Sequence, residues 1–414
     1  MLKGDAAWLT RKTVLGWIID TLSMTITLAP HRLERLHEIL EGIRPNQKRV
    51  SVQTWHKVMG ELRSMAVATP GAGGLFSSLQ EAFRRVDATK KRLRLTAMAH
   101  DFLDDFRWLA KDLGKRPTRI AEVIPSEPVT RGACDASSEG MGGVHFVPLL
   151  NGSVQPIVWR ATFPKKVRDN LSTYDNHRGA ITNSDLELAG SIAQADVLAQ
   201  FADVRELTTH NCYDNTAAVC WQRKGSTTTM GPAAHLLRQQ ALHQRHHRYV
   251  PLHDYIPGPI NGMADLASRS KSMTDSQFLL RINSEYPQTV PWKLCPLRKP
   301  TYSGLISCLF KKRLDPESLL NVPMHSTTIG NAGIFSASSL ESILSSVEST
   351  TRSHTCKSLP KDIGTAELRH ASSASDLEQW RTRYGLWVRS SPAWGPRTLG
   401  KIPPAPLTFE HNDN

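Results

Sequence analysis

Apolar and polar positions alternate in two short runs along residues 12–28, KTVLGWIIDTLSMTITL, and this period of two predicts a β-hairpin turning at Asp20-Thr21. The period then changes. Leu33, Leu36 and Leu40 fall on one helical face after Pro30, a residue welcome in a first turn because its missing N–H would be unpaired there anyway. Behind Ser51, a candidate N-cap, Trp55, Val58, Met59, Leu62 and Met65 recur at helical spacing as far as Pro70-Gly71. A third helical piece occupies 75–85. Residues 1–85 therefore read as a small, mostly helical region. Residues 86–128 read as a basic helical connection, with Leu95, Met98, Phe102, Leu109 and Leu113 as a packing stripe and Pro117, Pro125 and Pro128 marking a linker.

From 129 to 290 the pattern becomes α/β. Strands are expected at 130–135, 141–149 and 154–163, the last two around Asn151-Gly152, a hairpin signal. A helix follows over 184–201, then a strand over 206–213 ending at Asp214-Asn215. Helical stretches at 215–224 and 232–246, a strand at 252–256 and a short helix from Met263 complete the set. Residues 291–414 read as a partly disordered tail, half serine or threonine over 336–353. One amphipathic helix near 375–388 stands out there, opened by the capping box Ser375-x-x-Glu378.

Charge narrows the partners. The chain carries 51 Lys+Arg against 38 Asp+Glu, a net +13, which favours a polyanion, nucleic acid first. Lys90, Lys91, Arg92, Lys165 and Lys166 are candidate phosphate contacts. Six cysteines without a C-x-x-C pairing read as reduced thiols. Met1-Leu2-Lys3-Gly4-Asp5 lacks the apolar core of a signal peptide and no 18-residue apolar run exists, so the expectation is an intracellular protein, cytoplasmic or nuclear, with no membrane partner.

Four acids stand where elements begin or end: Asp135, Glu187, Asp214 and Asp265. Singly, each has a plain reading as a turn or surface acid. Together they converge if the sheet gathers its strand ends. Carboxylates crowded in that way repel one another unless cations hold them. Ligands that are all oxygen select Mg²⁺ or Mn²⁺, and two such ions ~4 Å apart activate water and stabilise the leaving oxygen of a phosphodiester. Gly140, Gly142 and Gly143, just after Asp135, let a second strand return close beside the first. His243, His246 and His247 read as the basic end of a helix rather than a zinc cluster, His177 as a solvated loop residue, and Asn261 as a turn residue. Cys134, Cys212, Trp159 and Trp221 read as core.

The segments CDASSEGMGGV, NSDLELAG, YDNTAAVCW and YIPGPINGMADLASR carry these acids in order, and in combination they resemble the RNase H domain of retroelement reverse transcriptases, especially those of DIRS-like elements. LGWIIDTLSMTITLAPHRLERL is similar to the hairpin leaving the palm of such polymerases, and GELRSMAVATPGAGGLFSSLQ to the thumb. The resemblance covers roughly residues 12–290. It implies an RNase H-like, mixed five-stranded sheet flanked by helices and preceded by a thumb-like helical region. It also implies a two-metal endonuclease that cuts the RNA strand of RNA–DNA hybrids, with Asp135, Glu187, Asp214 and Asp265 as catalytic metal ligands. Asn215 becomes a candidate contact to a 2′-hydroxyl. The family's polymerase centre, a Tyr/Phe-x-Asp-Asp turn on the palm, is expected to be missing, and with it any DNA synthesis by this chain alone. Two other readings stand beside this one. The chain is a non-catalytic nucleic-acid binder, or an accessory that dimerises or joins a complete reverse transcriptase through residues 12–120.

Overall fold

The computed structural model describes residues 9–84, 91–228 and 231–313. The serine-rich stretch and the capping-box helix expected in the tail lie outside them. The N-terminal meander has three strands where one hairpin was expected: β1 (Arg11–Val14), β2 (Trp17–Asp20) and β3 (Thr25–Leu28). The extra turn is Leu15-Gly16, with φ of 52° and 82°, the left-handed pair that a two-residue hairpin loop requires. Leu-Gly is a poor advertisement for such a turn, which is why the alternation reads straight through it.

The helices follow the sequence closely. In α1 (Pro30–Glu41) the proline stands in the first turn. Ahead of α2 (Val52–Ala66), β4 (Arg49–Ser51) supplies the cap, Ser51 accepting the Thr54 amide. All five residues of the α2 stripe are buried. Then come α3 (Phe76–Arg84), β5 (Arg92–Arg94) and α4 (Ala97–Lys115). Although α4 lies in the stretch read as a connection, its Phe102, Phe106 and Leu109 share one core with Leu40 of α1, Trp55 of α2 and Leu79 of α3. The letters of the polymerase motif do occur, at Phe102-Leu103-Asp104-Asp105, so their expected absence needs correcting. They lie inside α4, not on a turn between strands. Asp105 is bound to Arg238 and Asp104 to Arg107.

After β6 (Thr118–Arg119), which pairs with β3, the main sheet begins. It contains β7 (Thr130–Ala136), β8 (Gly140–Pro148), β9 (Val154–Thr162), β10 (Thr208–Tyr213) and β11 (Val250–Tyr255). The order is β11-β10-β7-β8-β9, antiparallel through β7, β8 and β9 and parallel through β7, β10 and β11. This is the mixed α/β sheet of the expected fold class. It has six strands rather than five, because β12 (Lys293–Leu294) pairs in parallel with the outer edge of β9.

Between β9 and β10 come α5 (Lys165–Arg168) and α6 (Asn183–Phe201). Next are α7 (Thr216–Lys224) and α8 (Pro232–His247), then α9 (Gly262–Arg269), α10 (Asp275–Glu285) and α11 (Lys299–Leu309). The body therefore runs past residue 291, where the tail was expected to start: Leu305 and Leu309 of α11 lie in the main core with Ile192 of α6 and Leu236 of α8. Lodged between the sheet and α8, α6 is buried nearly all round. On the opposite face α9 covers β7 and β8.

Helix α8 also joins the sheet to the N-terminal helices. Its Arg238 pairs with Asp105 of α4 with both side chains essentially unexposed, and Arg245 reaches Asp112 at 2.7 Å. At Gly74 a Cβ would stand 2.6 Å from the Leu237 carbonyl oxygen, so only glycine lets the chain approach α8 this closely. Among the described residues, no helix is long and apolar enough to cross a membrane, and Cys134, Cys212, Cys220, Cys295 and Cys308 are free thiols.

Candidate metal centre

Strand β7 alternates its side chains, so Cys134 and Ala136 enter the main core while Asp135 faces the other side, under α9. Gly142 lies directly opposite Asp135 on β8, and a Cβ there would come 2.6 Å from the backbone of Ala267. The glycine run thus does more than bring β8 back beside β7. It lets α9 lie flat on the sheet, where Ser268 Oγ donates to Asp135 Oδ2. Asn261, expected as a mere turn residue, is buried and donates through Nδ2 to the Cys134 carbonyl at 3.1 Å, pinning the start of α9 beside Asp135.

The other acids arrive from different elements. Glu187 lies in the second turn of α6, whose start is fixed by a capping box between Thr182 and Asp185. Asp214 follows the last residue of β10, and because β10 runs parallel to β7, both strands end at the same sheet edge. One carboxylate oxygen each from Asp135, Glu187 and Asp214 lies within 4.8 Å of the others. Asp265 stands apart, on the rim, about half exposed and paired with Arg269 one turn along α9. Three of the four expected acids therefore form one cluster, and the fourth acts on it through its charge.

The energetics are those of an overcrowded site. Burial raises the pKa of Asp135, and the Asp265 charge adds to the effect. Burial also pushes Glu187 well above its usual value, helped by Asp135 and Asp214. Asp214 is raised to about 7, by burial first and by Asp135 next. Glu187 accepts the Ala136 amide, yet its Oε2 is buried with no hydrogen-bond partner among the described residues. A buried oxygen in that state costs about 1–3 kcal/mol or more. Three hard oxygen ligands, mutual repulsion and one orphaned lone-pair site fit a divalent cation of the Mg²⁺ or Mn²⁺ kind. The acids open into a cleft of 410 Å³ also lined by Asn183, Asn215 and Arg269. Asn183, Ser268 and Arg269 have no sequence signal of their own beyond sitting next to the acid-bearing segments.

The remaining expected residues fall in different places. Asn215 lines the cleft, but its Oδ1 is taken by the Ala218 amide as the N-cap of α7. Lys165 and Lys166 are exposed at the same sheet edge as the cleft, beyond the end of β9; Lys165 pairs with Asp169 and Lys166 lies over the Phe310 ring. Lys91 and Arg92 are exposed beside and on β5, and Lys90 lies outside the described residues. His177 is exposed and Trp159 is wholly buried, as expected, whereas Trp221 is only partly so. His246 and His247 stand in the basic last turn of α8, as expected, but His247 is buried, and burial, with the charges of His243 and His246, holds its pKa far down.

No family model matches the chain, and no curated protein matches it. Among solved structures, the chain is similar to the foamy viral protease–reverse transcriptase. For its dRH form with double-stranded DNA the identity is 10% and the TM-score 0.25, over 59% of this chain and 38% of that one. For the complex with an RNA/DNA hybrid the identity is again 10% and the TM-score 0.25, over 60% and 29%. A further complex with double-stranded DNA gives the same identity and score over 70% and 45%. The chain thus spans less than half the length of each of these. A TM-score that low carries no weight, and the fold rests on the strand order and register above.

Proposed function

We propose that the chain is a divalent-metal-dependent endonuclease of the RNase H type, which cuts the RNA strand of RNA–DNA hybrids. One observation carries the reading: the buried Asp135 and Glu187 and the half-buried Asp214 bring carboxylate oxygens within 4.8 Å of one another in an open cleft. These three would hold the metal, with Asp265 at the rim. Bound there, Mg²⁺ or Mn²⁺ ions supply the activation of water and the stabilisation of the leaving oxygen.

The chain's own residues do the rest. Ser268 fixes the orientation of the Asp135 carboxylate, and Asn261 holds the start of α9 against β7. Arg269 brings a guanidinium to the cleft, held by Asp265, where it can take a backbone phosphate. Asn215 lines the same cleft and keeps its side-chain amide N–H groups for a 2′-hydroxyl after its Oδ1 caps α7. The products are RNA ends carrying a 3′-hydroxyl and a 5′-phosphate.

Away from the cleft, the small β4–β5 ladder buries Val50 and Leu93 on one face and exposes Arg49, Arg92 and Arg94 on the other, with Arg49 directly opposite Arg94. Like charges in that position repel, and no ion pair among the described residues relieves them; a phosphate backbone does. This surface supports nucleic acid as the partner.

The test is incubation of the full chain with a labelled RNA–DNA hybrid and Mg²⁺ or Mn²⁺, beside Asp135→Asn and Asp214→Asn. Cleavage of the RNA strand that both substitutions abolish is the expected result. Tight binding without cleavage would replace the enzyme with a non-catalytic binder.

A further inference from the structure

Remote from the strand ends, three segments meet around another buried carboxylate. Asp196 of α6 is 1% exposed, and His243 and His247 stand one helical turn apart on α8. His243 Nε2 lies 3.3 Å from Asp196 Oδ1, its Nδ1 lies 3.1 Å from the Tyr249 hydroxyl, and the two imidazole rings are 4.4 Å apart. Arg298, just before α11, straddles the carboxylate at 3.1 Å to Oδ2 and 2.5 Å to Oδ1, and also lies 3.5 Å from His247 Nε2.

An Asp–Arg pair is complete with two residues, so two histidines turned to the same point are surplus to it. Their geometry is that of ligands. One donor atom each from Asp196, His243 and His247 lies within 4.8 Å of the others. Two donors about 2.1 Å from a tetrahedral ion stand roughly 3.4 Å apart, and His243 and Asp196 already hold 3.3 Å. Histidines four residues apart on one helix face are a familiar chelating pair. The Tyr249 hydroxyl on Nδ1 of His243 is the outer hydrogen bond that orients a ligating imidazole.

We propose that Asp196, His243 and His247 form a second cation site, which takes a transition-metal ion such as Zn²⁺ in exchange for the Arg298 guanidinium. Mixed nitrogen and oxygen donors favour such an ion over Mg²⁺, so the site is chemically distinct from the all-oxygen cleft and independent of the nuclease reading. The side chain of Arg298 is 15% exposed, at the solvent edge, and can leave. Its departure removes the polar tie between α6 and the start of α11, while Leu305 and Leu309 stay in the core.

The experiment is a Co²⁺ titration of the full chain followed by visible absorption, with circular dichroism as the check on folding. Four-coordinate Co²⁺ absorbs strongly, whereas six-coordinate Co²⁺ on the cleft carboxylates is pale, so the two centres separate. Strong bands are expected in the wild type, tightening roughly 10- to 100-fold in Arg298→Gln, where the competing cation is gone. They weaken about tenfold in Tyr249→Phe and vanish in the double variant His243→Gln/His247→Gln. Bands that survive in the double variant would place the ion on thiols or other histidines and overturn the proposal. So would an Arg298→Gln protein that binds no more tightly than the wild type, a comparison that stands even if the double variant fails to fold.

Discussion

Buried acids are handled in opposite ways at the joint around α8 and in the cleft. At the joint Asp105 meets Arg238, Asp112 meets Arg245 and Arg116, and Glu122 meets Arg248. Asp196, nearby on α6, meets Arg298. In the cleft Asp135, Glu187 and Asp214 are crowded together, and no ion pair among the described residues involves them. Burial is similar: Asp105 and Glu122 are 0% and 2% exposed, Asp135 and Glu187 3% and 2%. The same chain therefore neutralises buried carboxylates where they serve structure and leaves them uncompensated where strands β7 and β10 end. The cleft's own cation is Arg269, which is already paired with Asp265, so the three clustered acids could hold a metal ion.

Breaking the joint has the largest expected effect on stability. Asp105→Ala strands Arg238 in the interior and should cost about 3–5 kcal/mol, read as a shift of the urea midpoint. Arg238→Ala should cost a similar amount, and the double variant less than the sum. Glu187→Gln should do the reverse, stabilising the metal-free protein at alkaline pH by about 1–3 kcal/mol, because it removes an unsatisfied buried charge.

The pH dependence sharpens the contrast. Asp214 has a folded-state pKa of about 7 against an ordinary 3.8. Between roughly pH 4 and 7 the folded state keeps a proton that the unfolded state has lost, so stability falls as pH rises through that window. In a chelator, thermal midpoints should drop between pH 5 and 8 by a few degrees. Asp214→Asn should flatten the curve, and saturating Mg²⁺ should restore the midpoint at pH 8 far more than at pH 5, because the ion replaces the proton.

Smaller effects test the surroundings of the cleft. Ser268→Ala should lower kcat roughly 10-fold, the usual scale for losing a hydrogen bond that aims a metal ligand, without changing hybrid affinity. Arg49→Ala with Arg94→Ala should leave cleavage at saturating hybrid unchanged and reduce the salt dependence of binding by a slope of about two.

Much of the cleft is legible from sequence because each acid sits in a short segment whose period changes at that point. Asp135 follows an apolar strand, Asp214 closes one, and Glu187 opens a helix behind a capping box. Local patterns also give the starts of α1, α2 and α6 nearly to the residue, although α2 ends at Ala66, short of Pro70. What escapes is set by contacts distant along the chain. Arg238 and Arg245 look like surface arginines until Asp105 and Asp112, some 133 residues earlier, are found beside them. His247 looks basic until the packing that buries it is known. Asp265 looks equivalent to the other three acids, yet it stands about half exposed at the rim, paired with Arg269. The β12–α11 segment has too little contrast and too short a strand to show in sequence, and its place depends on the edge that β9 offers.

A calorimetric titration of Mn²⁺ into the full chain at about pH 8, beside Glu187→Gln and Asp135→Asn, asks most directly whether the uncompensated acids hold a cation. The account predicts saturable binding in the wild type, with proton release, and its loss in both variants while their circular dichroism stays native. Equal binding in wild type and variants, or none in the wild type, would contradict it.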